Sequence, residues 1–281
     1  MRRVLKWLGL GLAGFVGLAV LAVALLYAGT EIMIRRPHPK APVSVVAARD
    51  PGAAARGARI AAVYGCNDCH GARLEGRLFF DQMPVARMAG PNLSLKIGQQ
   101  SDADLARAIR DGVAADGRAL WIMPSDAFAS LTDAETADLL AYLRSRPPVG
   151  HPQPEKQVGP IGRLGAALGK FRSAPALIAD RKGGLPDLGP QYAQGRSLAR
   201  ACVECHGADL KGLESVKSPD LTIAGAYDEA DFERLLRTGI AAGDRRLGLM
   251  SESAPVRFNA WSHQEIGALH AYLKARAAMA N

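Results

Sequence analysis

Residues 66–76 read Cys-Asn-Asp-Cys-His-Gly-Ala-Arg-Leu-Glu-Gly, and residues 202–212 read Cys-Val-Glu-Cys-His-Gly-Ala-Asp-Leu-Lys-Gly. The two stretches share the string C-x-x-C-H-G-A-x-L-x-G and lie 136 residues apart. A further match follows in the same order, since Pro91-Asn92-Leu93 finds its counterpart in Pro219-Asp220-Leu221. The repeat predicts that one structural unit occurs twice in the chain.

The C-x-x-C-H motif has a specific chemical use. Its two thiols can add across the vinyl groups of a haem, and its imidazole then lies beneath the iron, which is the attachment pattern of a c-type haem. The alternatives are a thioredoxin-like redox pair or half of a zinc site. A redox pair does not need the histidine, and zinc would require two more ligands at short spacing. The two motifs use all four cysteines of the chain and predict two covalently bound haem c groups, at Cys66, Cys69 and His70 and at Cys202, Cys205 and His206.

Length and charge set further bounds. A chain of 281 residues predicts about two domains. The net charge of +8 is uneven: residues 1–49 contribute +6 and residues 150–189 contribute +3, whereas 50–149 and 190–281 sum to −1 and 0. The basic excess therefore lies beside an apolar segment and in a linker, which favours contact with anionic lipid and excludes nucleic acid as the expected partner.

The amino-terminal segment predicts a membrane anchor. Residues 7–28 form an uncharged run of 22 residues, long enough to span the hydrocarbon of a bilayer. Trp7 and Tyr27 stand at its ends, where interfacial aromatic residues are common. A cleaved signal peptide is the alternative, but its apolar core is shorter and it ends at small residues, unlike Leu26-Tyr27-Ala28. We expect an uncleaved single-pass anchor in the bacterial inner membrane, with the rest in the periplasm, where haem c is attached.

The following chain resembles two fused class I cytochrome c domains. The resemblance rests on the two motifs, on Gly90-Pro91-Asn92-Leu93, on residues 104–113, on Met123-Pro124 and on Tyr142-Leu143-Arg144-Ser145. It implies a mainly helical fold, with a proline carbonyl that fixes each haem-binding imidazole: Pro91 for His70 and Pro219 for His206. It also implies that the first and last helices of each domain cross at a glycine, Gly57 in the first.

A methionine is the expected second iron ligand in each domain. Met123 lies in a predicted loop, is followed by Pro124 and lies 53 residues past His70. Met250 takes the same register in the second domain, because each lies 19 residues past a matched aspartate, Asp104 or Asp231. Other residues remain open as ligands, or as side chains that only pack in the core; they are Met83, Met88, His38, His151, His263 and His270.

These patterns define an organisation for the whole chain. Thr132-Asp133-Ala134-Glu135 and Ser262-His263-Gln264-Glu265 are capping boxes that predict the start of a closing helix in each domain. The segment near 161–168 is either a short amphipathic helix at lipid headgroups or a plain spacer. The predicted parts are an anchor (1–34), an extended proline-rich tether (35–49), a first domain (50–149), a linker (150–189) and a second domain (190–281).

The expected activity is outer-sphere electron transfer, since histidine and methionine together leave the iron no open position for a substrate. The sequence is similar to membrane-bound cytochrome subunits of periplasmic alcohol and sugar dehydrogenases, which implies a redox protein as partner: a dehydrogenase, a quinol-oxidising complex or a terminal oxidase. Two alternatives stay open. One is a dihaem subunit of a cbb3-type oxidase, and the other is a dihaem peroxidase, which would need an open iron position.

Overall fold

The computed structural model describes residues 2–181 and 183–280 of the chain. It begins with helix α1 (Arg2–Arg35), whose apolar side chains stand almost fully in the open; Phe15 is 70 % exposed. By length and composition this helix is able to cross a membrane, a property that signal sequences near an amino terminus share. Nothing else in the described part of the chain covers the apolar surface of its first three quarters.

The first domain is built from short helices and one hairpin. Its closing helix begins at the predicted capping box, where the Thr132 hydroxyl accepts a hydrogen bond from the Glu135 backbone N–H and the Glu135 side chain accepts one from the Thr132 backbone N–H. In chain order the elements are α2 (Ala53–Val63), α3 (Cys66–His70), β1 (Arg77–Gln82), β2 (Ala86–Gly90), α4 (Leu93–Lys96), a 3-10 turn (Ile97–Gln99), α5 (Asp102–Arg110), α6 (Ser125–Phe128) and α7 (Asp133–Arg144).

The second domain repeats the order of the main helices, but its two strands follow α12 and not the motif helix. Its closing helix again starts at a capping box, between Ser262 and Glu265. The helices and strands are α10 (Ala193–Ala199), α11 (Val203–His206), α12 (Glu229–Thr238), β4 (Ile240–Ala241), β5 (Arg245–Arg246), α13 (Leu249–Arg257) and α14 (His263–Ala280), with 3-10 turns at Pro190–Tyr192, Arg200–Cys202, Glu214–Val216, Leu221–Ala226 and Ala242–Asp244.

A glycine permits the closest helix crossing in each domain. A Cβ atom on Gly57 would lie 2.0 Å from the carbonyl oxygen of Asp138 in α7, and one on Gly195 would lie 2.1 Å from that of Ala268 in α14. Any side chain would push the helices apart, so glycine is required at both crossings. The crossing expected from the resemblance is therefore present in both halves.

The connecting segments are more structured than the sequence predicts. Residues 36–52 form no helix or strand, as expected of a tether, yet Val45 is buried in the core and the Ala47 N–H donates to the Asp102 carboxylate over 2.7 Å. The segment between the domains forms β3 (Gln157–Val158), α8 (Pro160–Ala167) and α9 (Ala174–Ala179), and β3 pairs antiparallel with β2. The tether and linker thus pack along the first domain and do not stand free of it.

The two domains share one apolar core. Buried side chains from both belong to the same continuous cluster, including Leu140 of the first domain and Leu273 of the second. Two pairs of helices meet at the junction of the domains, since α6 of the first contacts α11 of the second, and α13 of the second contacts α2 of the first. The fold is therefore mainly helical, with two related domains packed directly on each other.

Candidate functional site

Each C-x-x-C-H motif is helical and ends at its histidine, although Cys202 lies in the 3-10 turn directly before α11. Gly65, with φ of 66°, is the N-cap residue of α3, and Gly71, with φ of 79°, is its C-cap residue. In the second motif Gly207, with φ of 81°, ends α11 in the same way. A helical turn places the two cysteines of a motif, three positions apart, on one face, as attachment to one flat ring requires.

Both motif histidines are held by a proline carbonyl. The Nδ1 atom of His70 lies 3.0 Å from the Pro91 oxygen, and that of His206 lies 2.9 Å from the Pro219 oxygen. A hydrogen bond to a carbonyl makes Nδ1 the protonated nitrogen and leaves Nε2 with a free electron pair. This arrangement orients each imidazole for binding a metal through Nε2.

Burial keeps these groups in their neutral forms. Desolvation lowers the pKa of His70 and of His206, although the proline carbonyl in each case acts in the opposite direction. Burial also raises the pKa of the Cys66 thiol to about 12 and that of the Cys202 thiol to about 12. A neutral imidazole is the form that ligates iron, and both thiols lie in apolar surroundings that suit the edge of an apolar ring.

In the first domain the candidate ligands line one cavity. Cys66, His70 and Met123 face it, and the rest of its wall is apolar or aromatic: Tyr64, Leu93, Ile109, Phe128, Leu131, Leu139 and Leu143. Tyr64 and Phe128 meet edge to face with ring centroids 5.8 Å apart. A slot with an imidazole, a thioether and a thiol at its wall fits a haem c held by thioether bonds, with Cys69 one helical turn beyond Cys66.

In the second domain the equivalent side chains lie in or against the shared core. Cys202 and Met250 are partly buried and pack on it, while His206 is almost fully buried. Met250 differs from Met123 in its backbone, because it is the second residue of α13, whereas Met123 lies in an irregular loop ahead of α6. The donor set again fits a haem c, with Cys205 as the second attachment point.

The structure places the competing residues in other settings. Met83 is 54 % exposed beside the β1–β2 turn, and Met88 lies on β2 opposite Phe80. His270 stacks on Phe232 with ring centroids 4.6 Å apart, and His263 contacts the Glu233 carboxylate. The backbone of His38 donates to Gly117, and the carbonyl of His151 accepts from the Asn92 amide.

The two motifs are connected by an arginine that the sequence analysis does not single out. Arg257, at the end of α13, donates to Asp68 of the first motif over 2.9 Å and to Glu204 of the second over 2.6 Å. Its side chain is only 12 % exposed, and it lies against Gly65, where a Cβ atom would come within 2.3 Å of its Nη2 atom. The sequence held one signal of this contact, because each motif has an acidic residue immediately before its second cysteine.

Two more arginines cross between the domains and bind matched acceptors. Arg59 donates to the Glu265 carboxylate at 2.5 Å and to the Ala260 carbonyl at 3.2 Å. Arg200 donates to the Glu135 carboxylate at 2.5 Å and to the Ser130 carbonyl at 2.7 Å. Each arginine thus reaches the capping-box glutamate of the other domain and the carbonyl five residues before it. The acceptors are equivalent in the two domains, but the arginines are not, since Arg59 lies seven residues before Cys66 and Arg200 two residues before Cys202. Arg257 has no arginine counterpart in residues 124–131.

The relatives found by comparison with known proteins include cytochrome subunits of several dehydrogenases. The chain is 27 % identical to the fructose dehydrogenase cytochrome subunit of Gluconobacter japonicus over 90 % of its own length and 58 % of that protein's. It is 27 % identical to the gluconate 2-dehydrogenase cytochrome c subunit of Pantoea cypripedii, over 69 % of the chain and 47 % of the relative. It is 25 % identical to the cytochrome c subunit of alcohol dehydrogenase (quinone) from Gluconacetobacter polyoxogenes, over 61 % and 40 %. The chain spans about half the length of these relatives.

The family assignment comes from the two halves of the chain. The cytochrome c family profile matches twice, at residues 54–147 and 192–277, which together make up more than half of the sequence. Each match contains one C-x-x-C-H motif with its proline and its methionine. The chain therefore belongs to the cytochrome c family and is an electron carrier related to the cytochrome subunits of dehydrogenases.

Proposed function

We propose that the protein is a membrane-anchored dihaem cytochrome c that carries electrons in the periplasm from a dehydrogenase toward a terminal acceptor. The observation that carries this proposal is the pair of equivalent histidine–proline hydrogen bonds, 3.0 Å and 2.9 Å long, each beside two cysteines in an apolar setting. Haem c, when bound, supplies an iron that takes up and releases one electron.

The residues of the chain have separate tasks in this function. Cys66, Cys69, Cys202 and Cys205 would hold the two haems covalently. His70 and His206 would bind the irons, each oriented by its proline carbonyl. Met123 and Met250 would complete the two coordination shells, and a thioether ligand raises the reduction potential. The apolar walls exclude water, so little solvent rearranges when the charge of a site changes.

The crossing contacts support transfer between the two sites. Arg257 joins the helical turns that carry both motifs, and Arg59 and Arg200 add two further ion pairs between the domains. A fixed arrangement of this kind removes the need for a conformational search before an electron passes. We therefore treat the two domains as one relay and not as independent carriers.

Packing at the end of α1 supports an anchor that stays attached. Met33 and Ile34 pack against Trp121 of the first domain, and Glu31 forms an ion pair with Arg163 over 2.9 Å. A removable signal peptide has no reason to make such contacts with the mature domain. A bilayer around residues 7–28 would hold the carrier at the membrane surface.

Haem content tests the core of the proposal. The purified protein should contain two haems per chain that survive acid–acetone extraction, measured as pyridine haemochrome and by intact mass. The double variant Cys66→Ala/Cys69→Ala should retain one, and the matched variant Cys202→Ala/Cys205→Ala should also retain one. Haem that is extracted by acid–acetone, or a native content of one, contradicts the proposal.

The names of the relatives favour a dehydrogenase as the electron donor. Purification of the full chain from membranes in mild detergent should therefore recover a dehydrogenase. Recovery of a copper–haem oxidase core instead would favour the cbb3-type subunit. Turnover of hydrogen peroxide by the pure protein would favour a peroxidase, which a methionine in the same place of both domains argues against.

A further inference from the structure

The short helix α8 (Pro160–Ala167) joins the anchor helix to the first domain. On one side the Arg163 guanidinium donates to the Thr30 hydroxyl at 2.8 Å and to Glu31 at 2.9 Å, and it lies 4.5 Å from the centre of the Tyr27 ring. Since residues 27–31 span the end of the uncharged run of α1, these contacts place α8 at the level where a spanning helix leaves the hydrocarbon.

The other side of α8 is seated on the first domain. A Cβ atom on Gly159 would lie 2.1 Å from the Pro84 carbonyl oxygen, and one on Gly162 would lie 2.5 Å from that of Val85. Only glycine permits backbones to approach this closely. The helix is therefore wedged between α1 and the turn after β1, and it has no freedom to swing away as a loose linker would.

The remaining face of α8 exposes three large apolar side chains. Ile161 is 53 % exposed, Leu164 is 49 % exposed and Leu168, just after the helix, is 66 % exposed. Their spacing of three and four positions places them on one stripe. The exposed Lys170 follows them. An apolar stripe next to a cation is the pattern of a helix lying in the headgroup region of a bilayer.

The same junction includes the loop that bears Met123. Met33 and Ile34 of α1 pack in one apolar cluster with Trp121 and Ile122, the two residues before that methionine. Trp121 also contacts Phe171, with ring centroids 5.6 Å apart. The position of the Met123 loop is thus tied through direct packing to the end of the anchor.

We propose that α8 and the end of α1 form a platform seated in the interfacial region of the bilayer, which holds the first domain in a fixed orientation with its Met123 loop on the membrane side. The inference rests on the proposed anchor and adds a second lipid contact to it. The occupant of the exposed stripe is phospholipid, because α8 packs directly on the end of α1, whose apolar side chains are themselves exposed as far as Ile32. The first domain therefore lies nearer the bilayer than an anchor on a free tether would hold it.

Three single-cysteine variants test the platform in the full, haem-loaded chain. Leu164→Cys reports on α8, Leu25→Cys, at a residue 64 % exposed in α1, reports on the anchor, and Ile223→Cys, at a residue 53 % exposed in the second domain, serves as the control of matched exposure. The protein is placed in vesicles of phosphatidylcholine and phosphatidylglycerol, and the reaction of each thiol with a water-soluble maleimide is timed. A thiol in apolar surroundings reacts slowly, because its thiolate is disfavoured there.

The expected result is at least about tenfold slower labelling at positions 25 and 164 than at 223 in vesicles, with the difference at 164 lost after denaturation. Rapid labelling at 164 with protection at 25 overturns the platform and leaves the anchor standing. Rapid labelling at 25 overturns the anchor itself, and the platform with it. Equal protection at 223 also overturns the inference, because the protection is then not specific to α8. Ile161→Cys repeats the measurement if Leu164→Cys does not retain the native haem spectrum.

Discussion

The two cytochrome c domains make the same histidine–proline hydrogen bond across different lengths of chain. In the first domain 21 residues separate His70 from Pro91, and they include the β1–β2 hairpin. In the second domain only 13 residues separate His206 from Pro219, with a 3-10 turn between them. The final contact is retained while the path to it changes, so the position of the carbonyl matters more to the site than the loop that delivers it.

The residue after each proline shows a second difference. Asn92 is almost fully buried and donates through its amide to the Val149 and His151 carbonyls. In the second domain Asp220 stands there and pairs with Arg276 over 2.9 Å. Burial acts to raise the pKa of Asp220, but hydrogen bonds from Thr222 and Arg276 outweigh it and lower the pKa. The first site is therefore braced by a neutral amide and the second by an ion pair.

Replacement of the methionines should break the equivalence of the domains most strongly. Met123→Ala or Met250→Ala removes one thioether, so each should abolish about half of the methionine–iron absorption band of the ferric protein and lower the potential of one haem. Absorption spectra and a redox titration measure both effects. Met83→Ala is the matched control and should change neither. A band that survives either substitution intact shows that the ligand assignment in that domain is wrong.

Substitution of the crossing glycines should affect stability in both domains alike. Gly57→Ala and Gly195→Ala each introduce a Cβ atom about 2 Å from a carbonyl oxygen of the closing helix. Such overpacking should lower the free energy of unfolding by about 1–3 kcal/mol or more. Thermal unfolding followed at the haem absorption measures the loss. Gly98→Ala serves as control, since no atom lies within 4 Å of that Cβ position, and a native-like transition at either crossing would contradict the tight contact.

Loss of Arg257 should test whether the domains act as one relay. Arg257→Leu leaves Asp68 and Glu204 without their shared cation, and the uncompensated negative charge should stabilise the ferric state and lower both haem potentials. Because Asp68 is 40 % exposed, the cost in stability should be modest, about 1–2 kcal/mol. A redox titration beside a thermal scan separates the two effects.

The control for that variant is Arg87→Leu, which removes an exposed ion pair with Asp81 and should leave both potentials unchanged. Arg257→Lys restores the charge without the two-sided geometry. It should recover part of the lost potential if charge is the cause. A change confined to one haem would show that Arg257 serves only one domain.

Acid should weaken the matched crossing contacts, with the smallest effect of the four. Burial alone would raise the pKa of Glu135 and of Glu265, but hydrogen bonds from Arg200 and Arg59 outweigh it, so both pKa values lie below the ordinary 4.5. The contacts therefore contribute their full stability above about pH 4.5 and lose it as the pH falls through the lowered values.

Unfolding measured between pH 6 and about pH 3 should show this loss in the native chain. The loss should be smaller in the double variant Arg59→Gln/Arg200→Gln, in which the glutamates no longer have their cationic partners. The same pH dependence in both proteins would place the acid-sensitive groups elsewhere.

Much of each domain followed from the sequence because its signals are local. The capping boxes at Thr132 and Ser262 lie within four residues, and both start the helices that they predict. The helix crossing at Gly57 depends on one small residue and was expected from the resemblance. In these cases a short pattern carries enough free energy to determine the local structure.

The interface escaped prediction because its partners are far apart in the chain. Arg59 lies 206 residues from Glu265, and no local pattern distinguishes it from other surface arginines. The tether was expected to be extended, yet Val45 is buried, since a proline-rich pattern describes the backbone and not the surface on which it lies. The pairing of β2 with β3 joins the first domain to the linker, and tertiary packing sets it in the same way.

The crossed pairs Arg59–Glu265 and Arg200–Glu135 resemble an isologous dimer interface only in their acceptors, because each capping-box glutamate receives an arginine from the other domain while the two arginines stand at different positions of the repeat. In a dimer of two identical copies, each contact would recur with the same residues on the opposite side. A covalently joined pair of related domains is free of that requirement, so one guanidinium, Arg257, is able to serve an acidic residue of each motif.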